Sequence, residues 1–148
     1  MAESVLLDKL QSMELEMAQV LLALCDKYDL KIWADSGTLL GAVRHGGFIP
    51  WDDDMDFVMF RTDYDRLIDI SRSEILPQPY YFEIGLAQIR LCRGGTTMFA
   101  TNAKYPNHNG SGNGGSVWID IFCLDNIPMV DAHFRKQWHD IFQYDRIA

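Results

Sequence analysis

The first part of the chain carries apolar residues at steps of three and four, which is the spacing of one face of an α-helix. The stripe begins at Leu6 and ends at Leu24, with Leu10, Met17 and Leu21 between them. We therefore expect a first helix that packs on the protein's own sheet.

Polar and apolar residues alternate later in the chain, as is typical of a half-buried β-strand. The alternation is clearest over residues 54–60. There Asp54 and Asp56 share one face, while Met55 and Phe57 share the other. A strand is therefore predicted at 54–60, with its acidic residues pointing away from the core.

Shorter patterns predict the remaining elements. Ser36 is the expected N-cap of a short helix that Gly46 and Gly47 end, and Thr62 is the expected start of a helix through about Ser71. A final helix is expected after Asp131. Strands are predicted at 32–34, 80–84, 88–92, 96–101 and 117–124, and a glycine-rich loop is predicted at 102–116.

This order of elements indicates an α+β fold, with a small mixed sheet and helices over it. A chain of 148 residues suffices for one domain with its own core. Neither an internal repeat nor a domain boundary is visible, so residues 1–148 are interpreted as a single domain.

Composition narrows the class of protein. The formal net charge is −8, which argues against broad binding to nucleic acid or to anionic membranes. No apolar run approaches the length of a membrane span, and the first residues lack the features of a signal peptide. Cys25, Cys92 and Cys123 lie in apolar stretches without a CxxC pair. We expect a soluble, cytoplasmic protein with buried free thiols.

The strongest chemical signal is the run Asp52, Asp53, Asp54 and Asp56. Like charges at about 4 Å repel by roughly 4 kcal/mol at an effective dielectric near 20, and a bound cation removes that cost. Carboxylate oxygens favour Mg²⁺ or Mn²⁺ over zinc. Asp54 and Asp56 are the expected core ligands, because strand alternation places them on one face, and Asp53 is a weaker candidate.

A calcium-binding EF-hand loop is the alternative with similar spacing, since Asp52, Asp54 and Asp56 match its first three ligand positions. That loop requires glycine at its sixth position and glutamate at its twelfth. This chain has Phe57 and Asp63 there, which excludes an EF-hand.

A further carboxylate from another strand is usual in a site for phosphoryl transfer. Asp120 is the candidate, because it is the lone charge in the apolar run from Val117 to Cys123. A buried, unpaired carboxylate is costly. The alternative is an aspartate at a strand edge or in an ion pair with arginine.

Upstream of the acidic run, Ser36, Gly37 and Thr38 open a helix, and free N–H groups at a helix start bind phosphate well. Arg44 is expected either to clamp a phosphate or to pair with the aspartates. His45 is interpreted as a ligand contact or as a helix C-cap.

Two more residues near these motifs have expected roles. Arg90 is a second candidate for stabilising charge that develops during transfer. Trp51 is expected in the core, with stacking on a donor as the alternative.

The chain resembles the LicD family, which includes fukutin-related proteins. The resemblance lies in two adjacent motifs, DSGTLLGAVRH from Asp35 to His45 and GGFIPWDDDMD from Gly46 to Asp56. Weaker similarity continues at Ile89-Arg90, Thr96-Thr97 and 118–122, so it covers most of the chain from Tyr28 to Pro128.

The resemblance implies a nucleotidyltransferase fold of the DNA polymerase beta superfamily. It also implies transfer of phosphocholine, or of a related phospho-alditol, from a CDP-linked donor to a glycan hydroxyl. By position, Asp54 and Asp56 would be metal ligands, Asp120 the third carboxylate, and Gly37 with Thr38 the phosphate-binding turn. Because family members are usually longer, we expect a C-terminally truncated or minimal form.

Two other functions fit the same residues. One is a nucleotidyltransferase that attacks the α-phosphorus of an NTP and releases pyrophosphate. The other is a non-catalytic module that binds a nucleotide or a metal.

Overall fold

A computed structural model describes residues 2–85, 87–98 and 115–126, together with Lys136. The helices in these ranges are α1 (Ala2–Tyr28), α2 (Ser36–His45) and α3 (Arg61–Ser71). The strands are β1 (Trp33–Ala34), β2 (Asp56–Phe60), β3 (Tyr80–Ile84), β4 (Gln88–Met98) and β5 (Gly115–Leu124).

The strands form one five-stranded sheet in the order β1-β2-β5-β4-β3. β2 and β5 run parallel, whereas the other neighbouring pairs run antiparallel. A mixed sheet with helices packed against it confirms the α+β class predicted from the order of the elements.

One hydrophobic core joins α1 and α3 to the sheet. Met17 and Leu21 of α1 are fully buried, as are Leu67 of α3 and Met59 of β2. The apolar stripe of the first helix therefore packs on the core from Leu10 to Leu24, as predicted, whereas Leu6 at its start is 71% exposed. None of the helices in the described ranges has the length and apolar character needed to cross a membrane.

The two faces of β5 differ in burial. Ile119 and Ile121 are fully buried in the core, whereas Trp118 and Asp120, on the opposite face, are only partly buried. This alternation lets a strongly apolar strand present one carboxylate outside the core.

Several predicted boundaries move by one or two residues. β2 begins at Asp56, so Asp54 precedes the strand, although burial alternates from Asp54 to Phe57 as predicted. Asp35 is the N-cap of α2, and Ser36 has a φ of 46°. Phe60 is the N-cap of α3, so neither Ser36 nor Thr62 caps its helix. The alternating pattern begins two residues before the strand does, which explains the shifted start of β2.

The part of the predicted strand 96–101 that the structure describes continues β4 to Met98. β5 begins at Gly115, so the last two residues assigned to the loop belong to a strand. The rest of that loop and the helix expected after Asp131 lie outside the described residues. Cys25 and Cys92 are buried free thiols, as expected, while Cys123 is partly exposed.

Candidate metal and phosphate site

The start of α2 lies directly against the acidic run. A Cβ atom on Gly37 would lie 2.5 Å from Asp52 Oδ2, so only glycine permits this approach without displacing the carboxylate. Thr38 Oγ1 accepts a hydrogen bond from the backbone N–H of Asp56 at 2.9 Å. The two motifs that are separate in the sequence thus meet at one place.

The sheet aligns three charged residues in one row across its central strands. Asp56 of β2 is the register partner of Asp120 of β5, and Asp120 is the partner of Arg90 of β4. Because paired residues on adjacent strands lie side by side, the parallel pairing puts two carboxylates next to each other. The third residue in the row, Arg90, carries a positive charge next to Asp120.

Asp120 has a donor for each carboxylate oxygen. Arg90 Nε donates to Oδ1 at 2.9 Å, and Trp118 Nε1 donates to Oδ2 at 3.0 Å. The Arg90 guanidinium also lies 4.7 Å from the centre of the Trp118 ring, a cation–π distance. Asp120 therefore lies beside Asp56 and also forms the arginine pair considered as its alternative role.

Asp52, Asp53 and Asp54 form a tighter group than the expected ligand set. One carboxylate oxygen of each lies within 4.8 Å of the others. Asp52 Oδ2 is buried and has no hydrogen-bond partner among the described residues. The geometry thus gives Asp52 and Asp53 a larger place in the site than the sequence suggested.

Burial and mutual repulsion both raise the pKa values of Asp54 and Asp56. Burial raises the pKa of Asp56 to about 6, and the charges of Asp54, Asp120 and Asp35 act in the same direction. Desolvation, followed by the charges of Asp52, Asp53 and Asp120, raises the pKa of Asp54. These carboxylates repel one another in the absence of a cation.

α1 supplies another acid that the sequence interpretation missed. Glu14 is only 1% exposed, and its Oε2 has no hydrogen-bond partner among the described residues. Burial raises the pKa of Glu14 to about 8, with added contributions from the four aspartates of the run. The sequence contained a signal for this burial. Glu14 follows Leu10 by four residues and precedes Met17 by three, so it lies within the apolar stripe.

Two predicted residues do not reach the aspartates. Arg44 and His45 are exposed in the last turn of α2, where Arg44 Nε donates to His45 Nδ1 at 3.4 Å. Seven residues of helix place Arg44 about 10 Å along the axis from Gly37. Across the described ranges, no ion pair links Arg44 to the acidic run, so that alternative was wrong.

Trp51 is 73% exposed, and its expected place in the core was wrong. It belongs to a turn before β2, where the alternation of the strand does not apply. The helix that the turn follows also exposes apolar side chains, with Leu39 49% and Val43 80% exposed. An indole therefore stands on the surface beside the acidic run.

Comparison with known proteins gives a consistent family. A family model described as "LicD/FKTN/FKRP, nucleotidyltransferase domain" matches residues 29–145. The lipopolysaccharide cholinephosphotransferase LicD of Haemophilus influenzae is 36% identical over 118 residues, which cover 72% of this chain and 39% of that protein. The ribitol 5-phosphate transferase FKRP of Homo sapiens is 38% identical over 48 residues, covering 32% of this chain and 10% of that protein.

An uncharacterized protein of Rickettsia prowazekii is 49% identical over 55 residues, covering 37% of this chain and 19% of that protein. The matches thus span well under half of each relative's length. The family model nevertheless spans most of this chain and includes both motifs of the site. The chain belongs to the LicD/FKTN/FKRP family.

Proposed function

We propose that this chain is a nucleotidyltransferase-like domain of a metal-dependent phosphotransferase. It would move phosphocholine, or a related phospho-alditol, from a CDP-linked donor to a glycan hydroxyl. The support from relatives is that two of them are named as transferases of choline phosphate and of ribitol 5-phosphate. The fold assignment to the DNA polymerase beta superfamily is part of the same proposal.

The observation that carries this proposal is the meeting of the helix start with the acidic run. Gly37 allows α2 to approach Asp52, and Thr38 binds the backbone of Asp56. The side chain of the N-cap residue Asp35 makes no capping hydrogen bond. The first N–H groups of α2 therefore suit a phosphate, next to carboxylates that suit a cation.

The residues fit Mg²⁺ or Mn²⁺. Their donor atoms are all carboxylate oxygens, which these hard cations prefer. Asp52 Oδ2 is buried without a partner among the described residues, as expected of an atom that a cation would satisfy. Asp54 and Asp56, with Asp120, would hold the cation, and Asp52 and Asp53, whose carboxylates lie close to that of Asp54, are further candidates. When bound, the cation would neutralise phosphate oxygens and lower the pKa of the acceptor hydroxyl.

The chain's own residues would position the two substrates. N–H groups of Gly37 and Thr38 would orient the diphosphate. The acceptor oxygen would bond to the phosphorus distal to cytidine and lose its proton. The bond from that phosphorus to the bridging oxygen would break, so that CMP leaves. Arg90, already paired with Asp120, would limit the negative charge of the row.

The test is a thermal-shift screen of CDP-choline, CDP-glycerol, CDP-ribitol and NTPs, each with and without Mn²⁺. A ligand at 100 times its dissociation constant stabilises a protein by about 2.7 kcal/mol. We expect a shift with a CDP-linked compound only when Mn²⁺ is present, because the acidic run repels a bare diphosphate. No metal-dependent shift with any nucleotide would overturn the proposal.

Product analysis separates the two reaction types. CMP together with phosphocholine or phospho-alditol transfer supports the proposal, whereas pyrophosphate from an NTP supports a nucleotidyltransferase. Nucleotide binding without turnover supports a non-catalytic module. Asp54→Asn and Asp56→Asn should each abolish turnover without loss of folding. Asp69→Asn is the matched control, because it removes an exposed carboxylate on α3 that pairs only with Arg72 among the described residues.

A further inference from the structure

Glu14 lies where a helix normally has an apolar residue. It shares the core-facing stripe of α1 with Met17 and Leu21, both 0% exposed. A buried carboxyl group without a hydrogen bond costs free energy, and an ionised one costs more. Packing alone therefore gives no reason for a glutamate at this position.

α1 holds Glu14 close to the acidic run. One turn earlier on the same helix, Gln11 Nε2 donates to the backbone oxygen of Asp52 at 2.9 Å. Among the charges that act on Glu14, those of Asp54, Asp53 and Asp52 are the largest in that order. The Gln11 hydrogen bond therefore holds this part of α1, with the buried and unpartnered Glu14 Oε2, against the segment that carries the acidic run.

Two buried side-chain oxygens without partners belong to the two segments that the Gln11 hydrogen bond joins. They are Glu14 Oε2 on α1 and Asp52 Oδ2, and Asp52 belongs to the group whose carboxylates approach within 4.8 Å. A lysine or arginine that would neutralise them is absent from their hydrogen-bond partners in the described ranges. A divalent cation satisfies several carboxylate oxygens at once and removes their repulsion.

We propose that the divalent cation of the proposed function, held by the carboxylates around Asp54, is also bound by Glu14, so that α1 completes the metal site. This inference rests on the cation of the proposed function. Glu14 precedes residues 29–145, the region that the family model matches, so the ligand comes from outside that region. The first helix thereby has a role in the site as well as in the core.

Calorimetric titration of the full chain with Mn²⁺ alone, at constant pH, tests the proposal. Glu14→Gln preserves the shape of the side chain and should weaken Mn²⁺ binding at least about tenfold, the lower range for losses around metal sites. Asp8→Asn is the matched control, because it removes an exposed charge from the same helix. It should change the affinity less than about twofold.

The outcomes separate the two proposals. Equal Mn²⁺ affinity of wild type and Glu14→Gln would overturn the role of Glu14 and leave the cation of the proposed function intact. Absence of Mn²⁺ binding by the wild type would overturn that cation itself. Iron-directed cleavage of the wild type is a second measurement that does not depend on the variant's folding. Cuts near residue 14 and within 52–56 support the proposal, while cuts confined to 52–56 overturn it.

Discussion

Replacing Glu14 by glutamine should stabilise the metal-free protein at neutral pH and have little effect in acid. The side chain is 1% exposed, and its pKa is raised from 4.5 to about 8, first by burial and then by the aspartates. Glutamine has nearly the same shape and carries no charge at any pH. The variant therefore removes the titration and retains the packing.

The magnitude follows from the two pKa values of Glu14. The unfolded chain releases this proton near pH 4.5, whereas the folded chain retains it up to about pH 8. Between these values the folded state binds more protons, so its free energy of unfolding falls as the pH rises. At about 1.4 kcal/mol per pH unit, the loss reaches roughly 3 kcal/mol at pH 7, or about 6–12 °C in Tm for a chain of this size.

The assay is thermal unfolding in EDTA from pH 4 to pH 8, with wild type, Glu14→Gln and the surface control Asp8→Asn side by side. The difference between wild type and Glu14→Gln cancels the other titrating groups. It should grow steadily above pH 4.5, while the control follows the wild type. Parallel curves for wild type and Glu14→Gln would refute the buried, strongly shifted carboxyl group.

Two further substitutions test how α2 positions the acidic run. Thr38→Val leaves the Asp56 N–H without its partner and should lower the free energy of unfolding by about 1 kcal/mol, measured in urea. Thr38→Ser retains the hydroxyl and is the control. An equal loss of stability in both variants would contradict the hydrogen bond. Gly37→Ala places a Cβ 2.5 Å from Asp52 Oδ2 and should weaken Mn²⁺ binding in calorimetry. Gly47→Ala is its control, because a Cβ there meets nothing within 4 Å. Equal Mn²⁺ affinities of wild type and Gly37→Ala would show that Asp52 does not contribute to cation binding.

The sequence predicted best those helices and strands in which apolar residues recur at a regular spacing. Periodicity predicted most of the stripe of α1, the strand Tyr80–Ile84, and β5 from Val117 to Leu124. Asp120 was identifiable because one charge interrupts an apolar strand. Its placement beside Asp56 depends on a parallel register between distant segments, which periodicity does not specify.

The errors have physical causes too. Asp54 was assigned to the strand because the alternation begins before the strand does. Trp51 lies in a turn before the strand, where an apolar residue is free to be exposed. Glu14 was missed because a charged residue is rarely fully buried, so an acidic position in a helix is assumed to face solvent. Arg44 precedes the acidic run closely in sequence, but it lies in the last turn of α2, away from the helix start that meets the aspartates.

The parallel pairing of β2 and β5 has a consequence for the order in which the chain acquires its structure. These strands are distant in sequence, and the loop between them must close before the ladder can form. Asp56 and Asp120 also oppose that closure as like charges on adjacent strands. A partly folded or incompletely synthesised chain therefore carries the acidic run without its strand partner, and the assembled carboxylate pair is a property of the completed fold alone.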